Sequence, residues 1–130
     1  MSSFTDKIEL TLPIKAEYVS VARLVTSGVC NRIGFDIDII EDIKVSISEV
    51  CTKIVSLGSE ITDNYKIIFE IAQNGLNVLF YCEDSAMKCI FNGDSDELAL
   101  HIINAFMDSV ELCNDNNYIL SMSKVLGESI

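Results

Sequence analysis

The longest periodic run of apolar residues in the chain lies between Asp36 and Leu57. Its apolar residues recur at steps of three and four, which places them on one face of a helix: Ile40, Ile43, Ile47, Val50 or Cys51, and Ile54. Asp38 and Glu41 have the spacing of a capping box at the start of this helix. Gly58 follows its last turn, where a left-handed C′ residue is favoured. The pattern therefore predicts a long amphipathic helix that packs on a core.

The same periodicity predicts two further helices. The first covers Glu17–Ile33 and ends at Gly34. The residues of this helix that we expect to face the core are Val21, Leu24, Val25, Val29 and Ile33. The second covers Asp94–Asp108, where Asp94 and Glu97 again fit a capping box.

Five segments have the alternation or the composition of strands: Lys7–Pro13, Tyr65–Ala72, Leu76–Cys82, Val110–Cys113 and Tyr118–Val125. Gln73-Asn74-Gly75 predicts a hairpin between the second and third, and Asn114–Asn117 predicts a turn between the last two. The resulting order is typical of a two-layer α/β sandwich, in which a mixed, mostly antiparallel sheet is covered on one face by about three helices. No linker or repeat interrupts this order, so residues 1–130 are predicted to form a single domain.

Composition narrows the function classes. The chain has 130 residues, of which 49% are hydrophobic, and a net charge of −11. Such a surface repels phosphate backbones, which argues against a nucleic-acid partner. It suits a partner with a basic surface, or it serves solubility alone. The apolar runs are too short to span a membrane and the N-terminus lacks the pattern of a signal peptide, so we expect a cytoplasmic protein.

The chain has five cysteines: Cys30, Cys51, Cys82, Cys89 and Cys113. The odd number and the lack of Cys-x-x-Cys spacing argue against a disulfide framework and against a structural zinc site. We therefore expect small buried thiols and no metal site.

Several segments resemble the anti-sigma factor serine kinases of the RsbW and SpoIIAB type. The resemblance covers most of the chain, through IELTLPIKAEYVSVARLVTSGVCNRIGF, EDIKVSISEVCTKIV and ALHIINAFMDSVEL. It implies the Bergerat fold of the Hsp90 and histidine-kinase ATPase superfamily. Proteins of this type are homodimers that hold a sigma factor inactive and use MgATP to phosphorylate a serine on an anti-anti-sigma factor. The resemblance therefore implies a sigma factor, an anti-anti-sigma factor or both as partners, together with a second copy of the chain.

The first nucleotide motif of this family pairs a Glu, the general base, with an Asn four residues later that holds Mg²⁺. Here Glu49 stands at the Glu position and Lys53 at the Asn position. An ammonium group has three donors and no acceptor, so Lys53 cannot coordinate a cation, although it can pair with Glu49 at i, i+4. Two interpretations are open. Either Lys53 replaces the metal charge and silences the site, or it is a tolerated surface residue in a site that has drifted.

The second motif begins with an Asp that accepts the adenine amino group and has a Gly two residues later. Aligned without a gap, Cys82 and Asp84 occupy these positions, and a thiol is a weak acceptor. Aligned two residues later, Asp84 is the adenine residue and Ala86 replaces the Gly. Both alignments are open, because a shift of two residues keeps a side chain on the same face of a strand. In both, the Gly that lets the backbone approach the nucleotide is missing.

The third motif is a flexible ATP lid followed by a glycine-rich run that opens a helix towards the phosphates. The lid is shortened here to Glu83–Asp94, and Glu97 and Ala99 replace the two glycines. Asp94 and Asp96 add negative charge at the same helix end, which repels a triphosphate. The three motifs together predict that the ATPase activity is lost and that no cofactor binds. ATP and Mg²⁺ are expected only if the protein is an active kinase.

Three hypotheses of function follow. The first is an anti-sigma-factor-like regulatory binding protein that controls transcription by partner switching without kinase activity. In this hypothesis Arg23 matches the position at which the family's first helix contacts its partner, the alternative being an Arg that lies over an apolar face. The second is an active ATP-dependent serine-protein kinase, with Glu49 as base and Asp84 on adenine. The third is a structural or dimerisation module that reuses the fold.

Overall fold

The computed structural model describes residues 6–87, 90–91, 97–112 and 118–127. Within these ranges the chain forms three helices, α1 (Val19–Ile33), α2 (Ile37–Gly58) and α3 (Glu97–Phe106). None of the helices in the described ranges is long and apolar enough to cross a bilayer. The strands are β1 (Asp6–Pro13), β2 (Asn64–Ala72), β3 (Gly75–Tyr81), β4 (Ser109–Leu112) and β5 (Tyr118–Val125). Short 3-10 turns cover Ala16–Tyr18 and Ser85–Met87.

The strands form one sheet in the order β1-β2-β3-β5-β4, and each neighbouring pair is antiparallel. β2 and β3 form a hairpin in which Ala72 pairs with Gly75, so Gln73 and Asn74 are its loop. A Cβ on Gly75 would lie 3.0 Å from the carbonyl oxygen of Lys124 on β5, which favours glycine at this position. The predicted α/β sandwich is confirmed. The described strands are antiparallel throughout rather than mixed.

Alternation along β2 separates the two faces of the sheet. Tyr65, Ile67, Phe69 and Ile71 are buried, whereas the residues between them are only partly buried. The facing residues of β3 that continue this buried surface are Leu76, Val78 and Phe80. The face of α2 that packs on it contains Ile43, Ile47, Val50, Cys51 and Ile54. The core predicted for the central helix is therefore confirmed, except that Ile40 is only partly buried and packs against it.

The ends of α2 differ from the prediction. Asp36 is the N-cap, because its carboxylate Oδ1 accepts a hydrogen bond of 2.9 Å from the Ile39 N–H. The capping box predicted at Asp38 and Glu41 is wrong, since Asp38 already lies in the first helical turn. Gly58 is the last helical residue and not a left-handed C′ residue.

The prediction for the core-facing side of α1 is correct only in part. Val29 is buried as predicted, and Val21, Val25 and Ile33 are partly buried against the core. Leu24 was expected to be buried and is 73% exposed. The buried residues of α1 are Ala22, Thr26, Val29 and Cys30. The Thr26 hydroxyl donates a hydrogen bond of 2.7 Å to the Ala22 carbonyl oxygen, which satisfies this buried polar group within the helix. Gly34 ends α1, as predicted, and it adopts the left-handed region with φ 109°.

Some predictions fall outside the described residues. They concern the capping box at Asp94, most of the shortened lid, the thiols of Cys89 and Cys113, and the turn Asn114–Asn117. The predicted helix 94–108 corresponds to α3 from Glu97 onward.

Candidate functional site

α2 carries two of the predicted site residues beside its buried face. Glu49 and Lys53 lie one helical turn apart, and both are partly buried. Val50 and Ile54, the residues that follow each of them, are fully buried in the core. Packing of these two residues fixes the rotation of α2 about its axis. Glu49 and Lys53 are therefore held at the border between the core and the solvent.

Arg23 of α1 contacts α2 next to this border. Its guanidinium Nη1 donates a hydrogen bond of 2.7 Å to the hydroxyl of Ser48, the residue before Glu49. Both side chains are partly buried. The bond ties α1 to α2, so Arg23 has a structural contact. Its predicted role in partner binding stays a prediction.

Cys82 follows the last residue of β3 and is 6% exposed. Its thiol donates a hydrogen bond of 3.6 Å to the carbonyl oxygen of Asn64 on β2. Together with Asn64 and Tyr81 it lines a cleft of about 250 Å³. A thiol that already donates to the backbone offers an amino group only a weak acceptor.

Asp84 organises the turn that follows β3. Its carboxylate Oδ1 accepts a hydrogen bond of 2.9 Å from the Ala86 N–H. Its carbonyl oxygen accepts another, of 3.0 Å, from the Met87 N–H. This is the local geometry that makes Asp frequent in turns. One carboxylate oxygen of Asp84 is thus already occupied by a hydrogen bond within the chain.

Met87, which was not singled out from the sequence, connects this turn to α2. Its side chain is fully buried. A Cβ on Gly58 would lie only 2.6 Å from the Met87 Cε and 3.1 Å from its Sδ. Gly58 is therefore the residue that lets the thioether reach the end of α2. The one signal in the sequence is an isolated Met after the segment CEDSA, since methionine fills irregular gaps in cores.

α3 carries the third group of predicted residues. Glu97 is its first helical residue, and Ala99 is partly buried. Leu98 between them is 73% exposed. The helix packs against α2. Asp94 and Asp96, predicted to add charge at this end, lie outside the described residues.

Three cysteines are buried free thiols: Cys30, Cys51 and Cys82. Burial raises the pKa of Cys51 to about 11, although a hydrogen bond with Tyr65 opposes this shift. Burial also raises the pKa of Cys30 to about 12. Burial and the neighbouring Cys51 raise the pKa of the Tyr65 hydroxyl. The raised pKa values keep Cys30, Cys51 and Tyr65 protonated at neutral pH, so these three groups are not nucleophiles there. The predicted buried thiols are confirmed for these three cysteines.

The segments of the three predicted motifs meet at α2. Glu49 and Lys53 belong to it, and Arg23 is hydrogen-bonded to it. The turn organised by Asp84 reaches α2 through the buried methionine, and α3, which begins at Glu97, packs along it. A site built from these elements would use α2 as its base.

Comparison with known proteins agrees with this arrangement. The profile of the family described as "Histidine kinase-like ATPase domain" matches residues 12–124. Proteins named "Serine-protein kinase RsbW" from Bacillus thuringiensis (strain Al Hakam), Bacillus cereus (strain AH820) and Bacillus anthracis are each 33% identical to this chain. Each alignment covers 93% of this chain and 86% of the relative. The chain therefore belongs to the histidine kinase-like ATPase domain family, as an RsbW-like member.

Proposed function

We propose that this protein is a regulatory binding protein of the anti-sigma factor type, which acts by partner switching without kinase activity. The observation that carries the proposal is Lys53, one turn after Glu49, where an RsbW-type kinase is expected to have an Asn that holds Mg²⁺. An ammonium group offers only donors, so this residue does not fit a bound Mg²⁺ ion. The proposed partners are a sigma factor, an anti-anti-sigma factor or both, and the proposed state is a homodimer.

The contacts of the second motif support the loss of nucleotide binding. In one alignment the adenine residue is Cys82, whose thiol is buried and donates to the Asn64 carbonyl oxygen. In the other it is Asp84, which has one carboxylate oxygen bound to the Ala86 N–H. In neither alignment does the chain offer a carboxylate with both oxygens available and a Gly two residues later.

Thermal unfolding in the presence of MgATP tests this proposal. A ligand present at about 100 times its Kd would stabilise the folded chain by about 2.7 kcal/mol. We expect no change in Tm up to millimolar MgATP. A clear, saturable rise in Tm of the unaltered chain would contradict the proposal.

Lys53→Asn is the matched variant, because it restores the carbonyl acceptor that Mg²⁺ requires. A Tm that rises with MgATP in this variant alone would mean that Lys53 by itself silences the site. The same response as the unaltered chain would mean that the site has drifted at several positions.

An active serine-protein kinase is the second candidate function. It is favoured by Glu49, which keeps the position of the general base, and by the similarity of the chain to proteins named "Serine-protein kinase RsbW". Transfer of labelled phosphate from ATP to a purified anti-anti-sigma factor distinguishes the two candidates, with Glu49→Gln as the control. Transfer that depends on Glu49 supports the kinase.

Partner binding is tested by capture of a purified sigma factor. Arg23→Ala is expected to weaken capture, since it removes a cation from the proposed surface. Ser48→Ala is the control, because it removes only the intramolecular hydrogen bond, at a cost of about 1 kcal/mol. Equal loss of capture in both variants would mean that Arg23 acts by holding α1 on α2 and does not contact the partner.

A further inference from the structure

A groove of about 640 Å³ lies between the start of α2 and the end of β5. We call it the corner groove, and its apolar lining comes from Phe35, Ile39, Val125 and Leu126. Phe35 is buried in the core, whereas Val125 is 53% exposed. Ile37, the first residue of α2, lies in the same turn as Ile39 and is 74% exposed. The described residues therefore leave an apolar surface uncovered at this corner of the fold.

Hydrogen bonds hold both walls of the corner groove in place. On the β5 side, the Val125 N–H donates a hydrogen bond of 2.7 Å to the Asp108 Oδ2. The Leu126 N–H donates another, of 2.7 Å, to the Asn74 carbonyl oxygen. On the α2 side, the backbone is fixed by Asp36, whose carboxylate caps the helix. A groove with fixed walls loses little conformational entropy when a ligand fills it.

The surface beside the corner groove is acidic. Four carboxylates lie in the first two turns of α2: Asp36, Asp38, Glu41 and Asp42. Residues 36–42 contain no base, and Lys44, which follows them, lies 3.1 Å from Glu41. Asp36 and Asp38 are exposed and form no ion pair with any residue that the structure describes. The exposed side chain of Ile37 is therefore flanked by two unneutralised carboxylates.

The cations around the corner groove are paired or border another cavity. Lys124 lines the groove, but its Nζ lies 3.6 Å from the Asp108 Oδ1 and donates a hydrogen bond of 2.8 Å to the Phe106 carbonyl oxygen. Arg32, at the end of α1, borders a separate cavity that Asp6 also lines. The groove thus offers apolar contacts and negative charge. Such a surface repels nucleic acids and anionic lipids and attracts cationic groups.

We propose that the corner groove binds a segment of a partner protein in which apolar side chains are flanked by lysine or arginine. The apolar side chains fill the groove and cover Ile37, while the cations meet Asp36 and Asp38. A small molecule confined to the groove would leave Ile37 exposed, which favours a polypeptide. Ile37 and Lys53 are about 24 Å apart along α2, at about 1.5 Å per residue. The surface is therefore separate from the candidate nucleotide site and does not depend on the proposed function.

Fluorescence anisotropy with a synthetic peptide tests this surface. The probe is a short fluorescein-labelled peptide of leucines flanked by lysines, titrated with the full chain. We expect saturable binding that Ile37→Ser weakens by about tenfold, because it truncates an apolar side chain that the peptide covers. Asp38→Asn is expected to weaken binding by about threefold and to make it less sensitive to salt. Thermal unfolding of each variant checks that it is folded.

Ile61→Ser and Glu60→Gln are the matched controls, since both residues are exposed and follow the opposite end of α2. Both changes are expected to leave peptide binding intact. Equal weakening by Asp38→Asn and Glu60→Gln would overturn the proposal, because the attraction would then come from the net charge of the chain. Unchanged binding in Ile37→Ser would overturn it as well, and so would a lack of binding at millimolar chain.

Two altered peptides test the chemistry of the partner. Replacing the lysines by glutamate, or the leucines by serine, is expected to abolish binding, and equal binding of either peptide would overturn the stated chemistry. Sedimentation velocity of Ile37→Ser without peptide tests another occupant. Weaker self-association of this variant would mean that a second copy covers the groove, which also overturns the proposal. The MgATP response is measured separately, so failure of this surface and failure of the proposed function are distinguishable.

Discussion

Replacing Gly58 by Ala tests the contact that brings the turn after β3 onto α2. The added Cβ would lie 2.6 Å from the Met87 Cε and 3.1 Å from the Ile14 Cδ1. Carbon atoms in contact are ordinarily about 3.5–4.0 Å apart, so the end of the Met87 side chain must move by about 1 Å. Met87 is fully buried, so the end of its flexible side chain must shift within the core.

Overpacking and helix propensity change the free energy of unfolding of Gly58→Ala in opposite directions. Overpacking of this kind costs about 1–3 kcal/mol. The better helix propensity of Ala over Gly recovers at most about 1 kcal/mol, and less at the last residue of a helix. We therefore expect Gly58→Ala to lower the free energy of unfolding by about 1 kcal/mol. Gly28→Ala is the matched control. Gly28 lies exposed inside α1 with nothing within 4 Å of the added Cβ, so this change is expected to stabilise.

A double-mutant cycle in urea, followed by circular dichroism, isolates the contact. Met87→Ala alone removes a buried side chain and is expected to cost about 2–5 kcal/mol. In that background the clash with Gly58→Ala is relieved, so the two changes together should cost less than their sum by about 1 kcal/mol. Costs that add to within about 0.3 kcal/mol would refute the reasoning, because Met87 would then not occupy the space beside Gly58.

Three further predictions concern the caps and the buried thiols. Asp36→Ala should lower the free energy of unfolding by about 1 kcal/mol while Asp38→Ala changes it little, and equal losses in urea would contradict the assigned N-cap. Gly34→Ala should destabilise by about 1 kcal/mol, because φ at this position is 109°, and an unchanged urea midpoint would contradict it. Burial raises the pKa of Cys51 from 9.0 to about 11. Its contribution to stability is therefore full below pH 9 and is lost as the pH rises through this range, by at most about 1.4 kcal/mol per pH unit. Urea unfolding at a series of pH values should give a shallower fall in Cys51→Ala than in the unaltered chain.

The order of helices and strands could be predicted because its causes are local. The buried stripe of α2 repeats at helical spacing, and the buried residues of β2 alternate. Such periods persist over whole elements, so an error of one or two residues at an end does not change the type of element. Gly34 was also predictable, since a left-handed residue after a helix favours glycine for reasons internal to the backbone.

The faces and ends of the helices depended on packing and were predicted less well. Apolar residues are spread around α1, so periodicity alone did not exclude Leu24 from the core. The buried side of α1 includes the small residue Ala22. At the start of α2, Asp36 and Asp38 are both good caps, and only the backbone conformation of Asp36 decides between them.

The candidate site was the least predictable part, because its contacts join residues that are distant in sequence. Arg23 and Ser48 are 25 positions apart, and Cys82 is 18 positions from its acceptor. Met87 and Gly58 are close to each other only because of the way the core is packed. None of these contacts produces a periodicity or a motif that can be recognised in the sequence. The segments that meet at α2 could be named from the resemblance, whereas the contacts between them required the fold.

The buried face of α2 is required for the fold, whereas Glu49 and Lys53, at the border with the solvent, are the positions that a bound nucleotide would require. Ile47 and Ile54 are fully buried, and removing either side chain would cost about 2–5 kcal/mol. Lys53 lies outside this buried stripe, so Lys53→Asn is expected to change the free energy of unfolding by less than about 1 kcal/mol. A chain can therefore keep this fold while its nucleotide chemistry changes, which is why family membership alone does not establish kinase activity. The same variant separates the two faces of α2 in one experiment, because its stability reports on the fold and its MgATP response reports on the site.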